Sequence, residues 1–593
     1  MKRLLMTGLL IFGAISSGRT AMAKKIDKEV LANKIKALAG LDAEERSELL
    51  GLLSERKKYG LVWEEKPEDV EEVMREQLPV LAEVKERAIV APVSSAPNHI
   101  LIEGDNLHAL TCLTYTHSNK VDVIYIDPPY NTGNKDFVYN DSFVDKEDAF
   151  RHSKWLSFME KRLRIAKGLL SDKGVIFISI DDNEQAQLKL LCDEIFGEEN
   201  FIGHITWEST TQPTNAGTAL FQLQKKVEFI LCYAKCNGIR NQFKLREIHS
   251  ENNYPHHGRF GKCRFEVIEK SDVGRFKRDT MKFRILGQYP RAGKRWQIGE
   301  ETARELERLG KVEIVNGIVK RAVYPEDENN VSYIPFWSHY DSTIGTALKA
   351  KKALSEILGY TTDFDTVKPV DLILELINHV SPSDTVLDFF AGSGTTLHAV
   401  MKLNAEDGGK RTCILVTNNE NGICEKVTYE RNRRVIQGYT NAKGEAVPGL
   451  QDNSLRYYKT EFVPRRPSPR NARALMAASV DLLCVKNDLY DEVLRFFGKK
   501  LKKSAGRYFD DGRGRRMLVL FDETTVPSVA ETIRGASFKG KVKIYVFAHG
   551  DYAYNEEFEE VADKVELCAL PAAIRNAYRR VIGKYRPQEE DAK

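Results

Sequence analysis

The chain has 593 residues, 42% hydrophobic and 29% charged, a balance that suits a soluble protein with several domains and more than one core. Lys and Arg number 89 against 85 Asp and Glu, a net charge of +4, so bulk charge selects no polyanionic partner. Nine cysteines are scattered without a paired framework, which argues reduced thiols rather than a disulfide scaffold.

Met1-Lys2-Arg3, a largely apolar run from Leu4 to Ile15 and Ala21-Met22-Ala23 have the parts of a secretory signal peptide. Residues 1–25 are set apart as signal-like or as a mis-assigned start, with Met22 as the true initiator. No other apolar run is long enough to span a membrane. Residues 26–97 read as a charged helical region, with apolar positions at helical spacing in Val30–Leu38 and Leu49–Leu53, closing on a Pro-, Ser- and Ala-rich linker from Pro92 to Pro97.

Residues 98–236 read as alternating strands and helices: strands at 121–126, 175–180 and 227–233, and helices at about 148–170 and 187–195. The β-branched run Val121–Ile126 leads into Asp127-Pro128-Pro129-Tyr130. That order sets a carboxylate, a proline carbonyl and a ring at the carboxyl end of a strand, where ligands bind in open α/β sheets. Pro128 and Pro129 keep the backbone extended and stiff. The product is a slot with two hydrogen-bond acceptors and a stacking face, suited to an exocyclic amine on a planar base. Asp181 and Asp182 read as structural, and no metal is expected.

Residues 237–345 form a polar, basic insert. Between Pro255 and Trp296 stand 12 Lys or Arg against 4 Asp or Glu, interleaved with Phe260, Phe265, Phe276, Phe283, Tyr289 and Trp296. Such a segment suits phosphate contact, and equally a solvated face over a local aromatic core. Cys232, Cys236, His256, His257 and Cys263 match no zinc-finger spacing.

Residues 346–450 return to strands and helices, with helices near 347–358 and up to His379. The strand Asp384–Leu387 runs into Asp388-Phe-Phe390-Ala-Gly392-Ser-Gly394-Thr-Thr396 and then a helix. Strand, glycine turn, helix is the order that brings a nucleotide-like ligand to backbone amides at a helix N-terminus. A further strand, Thr412–Thr417, ends at Asn418-Asn419-Glu420. Beyond the Pro464–Pro467 linker, residues 465–593 read as a small α/β unit with strands at 517–521, 542–547 and 565–570.

Asp127-Pro-Pro-Tyr130 together with Phe390-Ala-Gly-Ser-Gly394 resembles the signatures of DNA amino-methyltransferases. The catalytic motif precedes the cofactor motif, the order of the permuted β group, and the likeness is closest to the modification (Mod) subunit of Type III restriction-modification systems, over about residues 95–460. Ile102–Leu110, Ile180–Asn183, Ile195–Phe201, Thr366–Pro369 and Thr417–Cys424 extend it. The resemblance implies an α/β fold: a doubly wound, mostly parallel, Rossmann-like sheet of permuted motif order, with 237–345 as an inserted target-recognition domain. It implies methyl transfer from S-adenosylmethionine to adenine N6 of a flipped base, through Asp127, Pro128, Pro129 and Tyr130. Phe390, Gly392, Gly394, Glu420 and Asp105, and less directly Asp388 and Lys368, are the implied cofactor contacts. Asp rather than Ser at position 127 favours adenine over cytosine N4. Double-stranded DNA, a helicase–nuclease (Res) subunit, a homodimer and a cytoplasmic location are implied likewise. The chain has no G-x-x-x-x-G-K-[ST], so it is not itself that motor, and no Pro-Cys dipeptide for cytosine-C5 chemistry. A solitary methyltransferase and a non-catalytic DNA-binding subunit are the competing readings.

Overall fold

The computed structural model describes residues 61–582, apart from residues 94, 135, 141, 214–216, 218–219, 222, 239–242, 250–252, 274–277, 329–330, 363, 365, 548–553 and 571. The signal-like segment, the helical spacing at 30–38 and 49–53, and Phe276 lie outside the described residues. Residues from Glu64 onward belong to one unit.

Ten strands make one large sheet: β1 (Gln77–Glu83), β2 (Asn98–Glu103), β3 (Val121–Ile126), β4 (Leu170–Ile180), β5 (Phe201–Glu208), β6 (Val227–Ala234), β7 (His339–Tyr340), β8 (Thr385–Asp388), β9 (Thr412–Thr417) and β10 (Ser454–Pro464). Their order across the sheet is β1-β10-β2-β9-β8-β3-β4-β6-β5-β7. From β10 to β4 every neighbouring pair is parallel. The edge strand β1 pairs antiparallel with β10, and β6 runs antiparallel to β4 and β5. A parallel sheet has both faces covered, and accordingly all six residues of β3 are buried.

Two sets of helices do the covering. Helices α1 (Asn106–Thr116), α2 (Arg151–Leu169) and α3 (Gln185–Phe196) pack in series, and α4 (Val370–Asn378) packs on α5 (Thr395–Asp407). Val123 and Tyr125 of β3 share a core with Leu372, Leu376, Leu397 and Val400 of α4 and α5. Side chains alternate across a strand, so Ile124 and Ile126 face the other way.

The chain leaves β8 through α5 to β9 on one side, and leaves β3 through α2 to β4 on the other. Val386 and Leu387 lie beside Val123 and Ile124, so the point where the winding reverses falls between β8 and β3. A crevice must open there, above the carboxyl ends of the strands. Asp127-Pro-Pro-Tyr130 follows one of these strands and the glycine turn follows the other.

Two segments differ from the sequence reading. Residues 77–83, read within a helical region, form β1; among the described residues before it, Asp69–Glu76 is helical. Pro79 and Val80 favour extended backbone, and a proline is tolerated on an edge strand. Strand β10 stands where the sequence reading placed no element, and the linker that follows it is anchored: Arg465 is buried and donates to the carbonyls of Met74 (3.0 Å) and Ile582 (3.1 Å).

The insert carries a four-stranded antiparallel sheet of His256–Gly258, Gly261–Val267, Ile318–Val323 and Val312–Val315. Phe283 and Trp296 are buried in its core with Ile268, Ile285 and Val319, whereas Phe260 and Tyr289 are exposed. The aromatics therefore divide between packing and surface. Cys263 lies in the insert and Cys232 in the main core, and among the described residues no cluster of three metal-ligating side chains occurs. Toward the C-terminus, strands Gly506–Asp510, Arg516–Leu520, Val542–Phe547 and Val565–Leu570 form a second small sheet. Among the described residues no helix is long and apolar enough to cross a membrane.

Candidate active site

The slot is built on β3. Asp127 leaves the strand half-buried, and the Trp155 indole of α2 donates to the Pro129 carbonyl at 2.7 Å, pinning the loop. Asn131 adopts φ 57°, a left-handed conformation that asparagine tolerates, and donates to the wholly buried Glu184 at 2.6 Å. His152 Nδ1 lies 2.6 Å from the same carboxylate. Burial raises the Glu184 carboxyl above its usual range, against the bonds from Asn131 and His152.

Inside the slot, Lys368 Nζ donates to Oδ1 and Oδ2 of Asp127, at 2.8 Å each. The Tyr130 hydroxyl lies 2.9 Å from Asp127 Oδ1 and 3.0 Å from Glu228 Oε2, and Lys368 Nζ is 3.4 Å from Glu228. Burial disfavours the Lys368 ammonium, but the Asp127 and Glu228 carboxylates outweigh it and raise its pKa. Burial first, then the same two carboxylates, hold the Tyr130 phenol well above its ordinary value.

On the other flank lies a cavity of about 590 Å³, within the range of ordinary ligand pockets. Phe137, Phe158, Phe389 and Phe390 supply its rings, and Asp105, Asn106, Pro129 and Glu420 its polar and loop surface. Phe158 meets Phe137 at 5.2 Å and Phe390 at 5.8 Å between ring centroids. Asp105 caps α1 by accepting from Leu107 N at 2.7 Å. Behind it the buried Arg162 donates to Asn106 Oδ1 at 2.5 Å and to both Glu68 oxygens at 3.0 Å, with its guanidinium 3.6 Å from the Phe158 centroid. Burial raises the Glu68 carboxyl, against the pull of Arg162 and Lys161.

The glycine turn is held from within and from the helical segment behind it, where Thr428 donates to the Gly392 carbonyl at 2.5 Å and Arg431 to the Thr395 hydroxyl at 2.7 Å. Asp388 accepts from Phe390 N at 3.0 Å and from the Thr396 hydroxyl at 2.6 Å. Burial, with a smaller push from the Asp127 charge, raises its carboxyl to about 7. Gly392 (φ 49°) and Gly394 (φ 74°) are left-handed. They do not line the cavity; a Cβ on Gly394 would stand 2.4 Å from Asn432 Nδ2. Close packing of the turn against the helix behind it therefore requires glycine at 394.

The geometry thus brings Asp105, Phe390 and Glu420 to one cavity, with Asp388, Gly392 and Gly394 in the turn behind Phe390 and not in its lining. It separates Lys368 from them: read as a cofactor contact, Lys368 is ion-paired to Asp127 in the slot, because Lys368-Pro369 enters α4 beside β3. Sequence reading missed Glu228, Arg162, Glu68 and Glu184. Two signals were present: Glu228 is a lone acid opening an apolar strand, and Arg162 occupies a core position in the series Trp155, Met159, Arg162, Ala166 of α2.

The model of the DNA methylase family N6_N4_Mtase matches residues 121–437, more than half of the chain. The chain belongs to this family. It is similar to the Type III restriction-modification enzyme StyLTI Mod subunit of Salmonella typhimurium, 34% identical over 370 residues, covering 56% of this chain and 55% of that one. It is similar also to the Type II methyltransferase M.KpnI of Klebsiella pneumoniae, 33% identical over 406 residues, covering 63% of this chain and 93% of that one. The match thus spans about half the length of the first relative and nearly all of the second. Among solved structures, the M1.HpyAVI–SAM complex aligns with a TM-score of 0.26 at 15% identity, over 54% of this chain and 95% of that one.

Proposed function

We propose that this DNA methylase transfers a methyl group from S-adenosylmethionine to N6 of an adenine turned out of duplex DNA, as the modification subunit of a Type III system. The observation that carries the reading is the crevice between β8 and β3, with a carboxylate slot on one flank and a ring-lined cavity on the other.

The cavity suits the cofactor: its rings can cover an adenosine, and Glu420 and Asp105 offer acceptors for ribose hydroxyls and the adenine amine. When bound, the cofactor supplies an electrophilic methyl on a sulfonium and keeps the electron pair of the breaking S–C bond on sulfur. The chain's own part is placement and charge. Asp127 and the Pro128 carbonyl accept the two N6–H bonds and aim the nitrogen lone pair, which forms the N–C bond. One N6 proton is then lost to water. Tyr130 stacks on the flipped base, a contact worth roughly 1–3 kcal/mol.

The insert is the DNA-reading part in this proposal. Its basic residues divide: Arg264 pairs with Glu328 and Arg291 with Glu269, whereas Arg284 lies over the exposed Tyr289 at 5.3 Å, an arrangement suited to a phosphate backbone. A Res partner and a homodimer belong to the Type III reading. A solitary methyltransferase is the second reading, favoured by the 93% coverage of M.KpnI; a neighbouring gene encoding a Walker-motif helicase separates the two.

Single-molecule sequencing of DNA from cells expressing the chain tests the activity. The expected outcome is N6-methyladenine confined to one short motif, and its loss with Asp127→Ala. Indistinguishable DNA from wild type and Asp127→Ala overturns the enzyme reading, and N4-methylcytosine in its place overturns adenine.

A further inference from the structure

Asp127 is already engaged as the structure stands. Lys368 occupies both oxygens of its carboxylate, and the Tyr130 hydroxyl competes for one of them. Together they use three of the roughly four acceptor positions of the carboxylate, and an incoming amine competes with them. Displacing Lys368 into nothing is costly, because its side chain is only 8% exposed and an unpaired buried charge is strongly unfavourable.

Glu228 removes that cost. It projects from β6 on the far side of Tyr130, its side chain 14% exposed, with Lys368 Nζ already 3.4 Å away and the Tyr130 hydroxyl at 3.0 Å. The phenol has one proton and faces two carboxylates, so it serves one of them at a time. The ammonium has three protons and lies within ion-pair distance of both carboxylates. Two carboxylates and one ammonium also leave the slot with one net negative charge. That sign opposes the positive charge that passes from the sulfonium to the amine nitrogen during transfer.

We propose that Glu228 is a positioning residue for methyl transfer: it receives the Lys368 ammonium and the Tyr130 hydroxyl when the exocyclic amine replaces them on Asp127. The proposal rests on the amino-methyltransferase reading. In the step itself the N6 lone pair forms the N–C bond, the S–C pair stays on sulfur, and one N6 proton goes to water. Glu228 and Lys368 exchange hydrogen bonds and neither gains nor loses a proton.

The test uses the full chain, S-adenosylmethionine with a tritiated methyl group, and duplex DNA carrying the site found by sequencing. Glu228→Gln keeps the side chain's shape and removes its charge. Its kcat is expected to fall about 10- to 100-fold, with KM for DNA and cofactor affinity within twofold of wild type. Lys368→Met leaves two carboxylates facing each other, and like charges raise one pKa. Its pH–rate profile should gain an ascending limb at higher pH than wild type, and the double variant Glu228→Gln/Lys368→Met should lose that limb. The other ionisable groups coupled to the cluster are Tyr125 on β3, Asp388 at the end of β8, and Lys225, which is paired with Asp181; none changes in these variants. Unchanged kcat in Glu228→Gln, or a wild-type pH profile in Lys368→Met, overturns the proposal. If Asp127→Ala is inactive while Glu228→Gln is fully active, only the role of Glu228 fails. If wild type is inactive or Asp127→Ala is as active as wild type, the enzyme reading fails first.

Discussion

The two flanks of the crevice are held in different ways. At the glycine turn, Asp388 bonds Phe390 two positions on and Thr396 eight positions on, and Thr428, Arg431 and Asn432 bond Gly392, Thr395 and Gly394 from 36 to 38 positions away. At the slot and the cavity floor the partners are more remote: Lys368 is 241 positions from Asp127, Glu228 is 98 from Tyr130, and Glu68 is 94 from Arg162. The turn is complete once β8, α5 and the helical segment that follows β9 are together, whereas the slot needs β3, β6 and the entry to α4 brought together across the sheet.

Arg162→Met gives the largest expected break in this contrast. It leaves Glu68 buried beside the cavity with Lys161, 3.4 Å away, as its remaining counter-charge, so the loss approaches the roughly 3–5 kcal/mol of a broken buried pair from below. Urea unfolding at pH 8 should show that loss, and Glu68→Gln in the same chain should recover part of it. A loss below 1 kcal/mol would mean that the remote contacts do not carry the crevice.

Gly394→Ala tests the glycine turn. Its φ of 74° and the 2.4 Å approach to Asn432 predict a loss of about 1–3 kcal/mol, smaller than at Arg162. Calorimetry compares the two variants directly, and the reverse ranking would invert the contrast.

Asp388 links the flanks through charge. Its carboxyl is raised from 3.8 to about 7, so the folded chain holds this proton more tightly than the unfolded chain. The stabilisation is full below about pH 3.8 and is lost as pH rises through 7. Urea midpoints from pH 5 to 8 should therefore rise for Asp388→Asn relative to wild type as pH increases. Parallel profiles would show that Asp388 titrates normally.

The smallest effect is expected in the insert. Arg284→Ala should weaken DNA binding for all sequences alike and lower the slope of log affinity against log salt by about one phosphate contact. An altered methylation motif with an unchanged slope would instead place Arg284 against a base.

Much of the crevice was legible in the sequence because its chemistry is local. An apolar strand ending in Asp127-Pro-Pro-Tyr130 and another ending in a glycine turn each specify a strand tip. Strand β1 was misread because its cue is short and comes directly after a genuinely helical segment, Asp69–Glu76. The aromatics of the insert could not be divided, since Trp296 in the core and Tyr289 at the surface sit in equally basic surroundings.

By itself the sequence determined the two strand tips and the alternation of strands and helices, which depend on residues a few positions apart. Only the tertiary structure decided what faces Asp127. Lys368 and Glu228 reach it because the entry to α4 and β6, which lies across β4 from β3, are brought to the same end of a sheet whose strand order is not the chain order. Contacts across such separations leave no periodic trace, so a lysine that reads as a cofactor contact becomes the counter-ion of the slot.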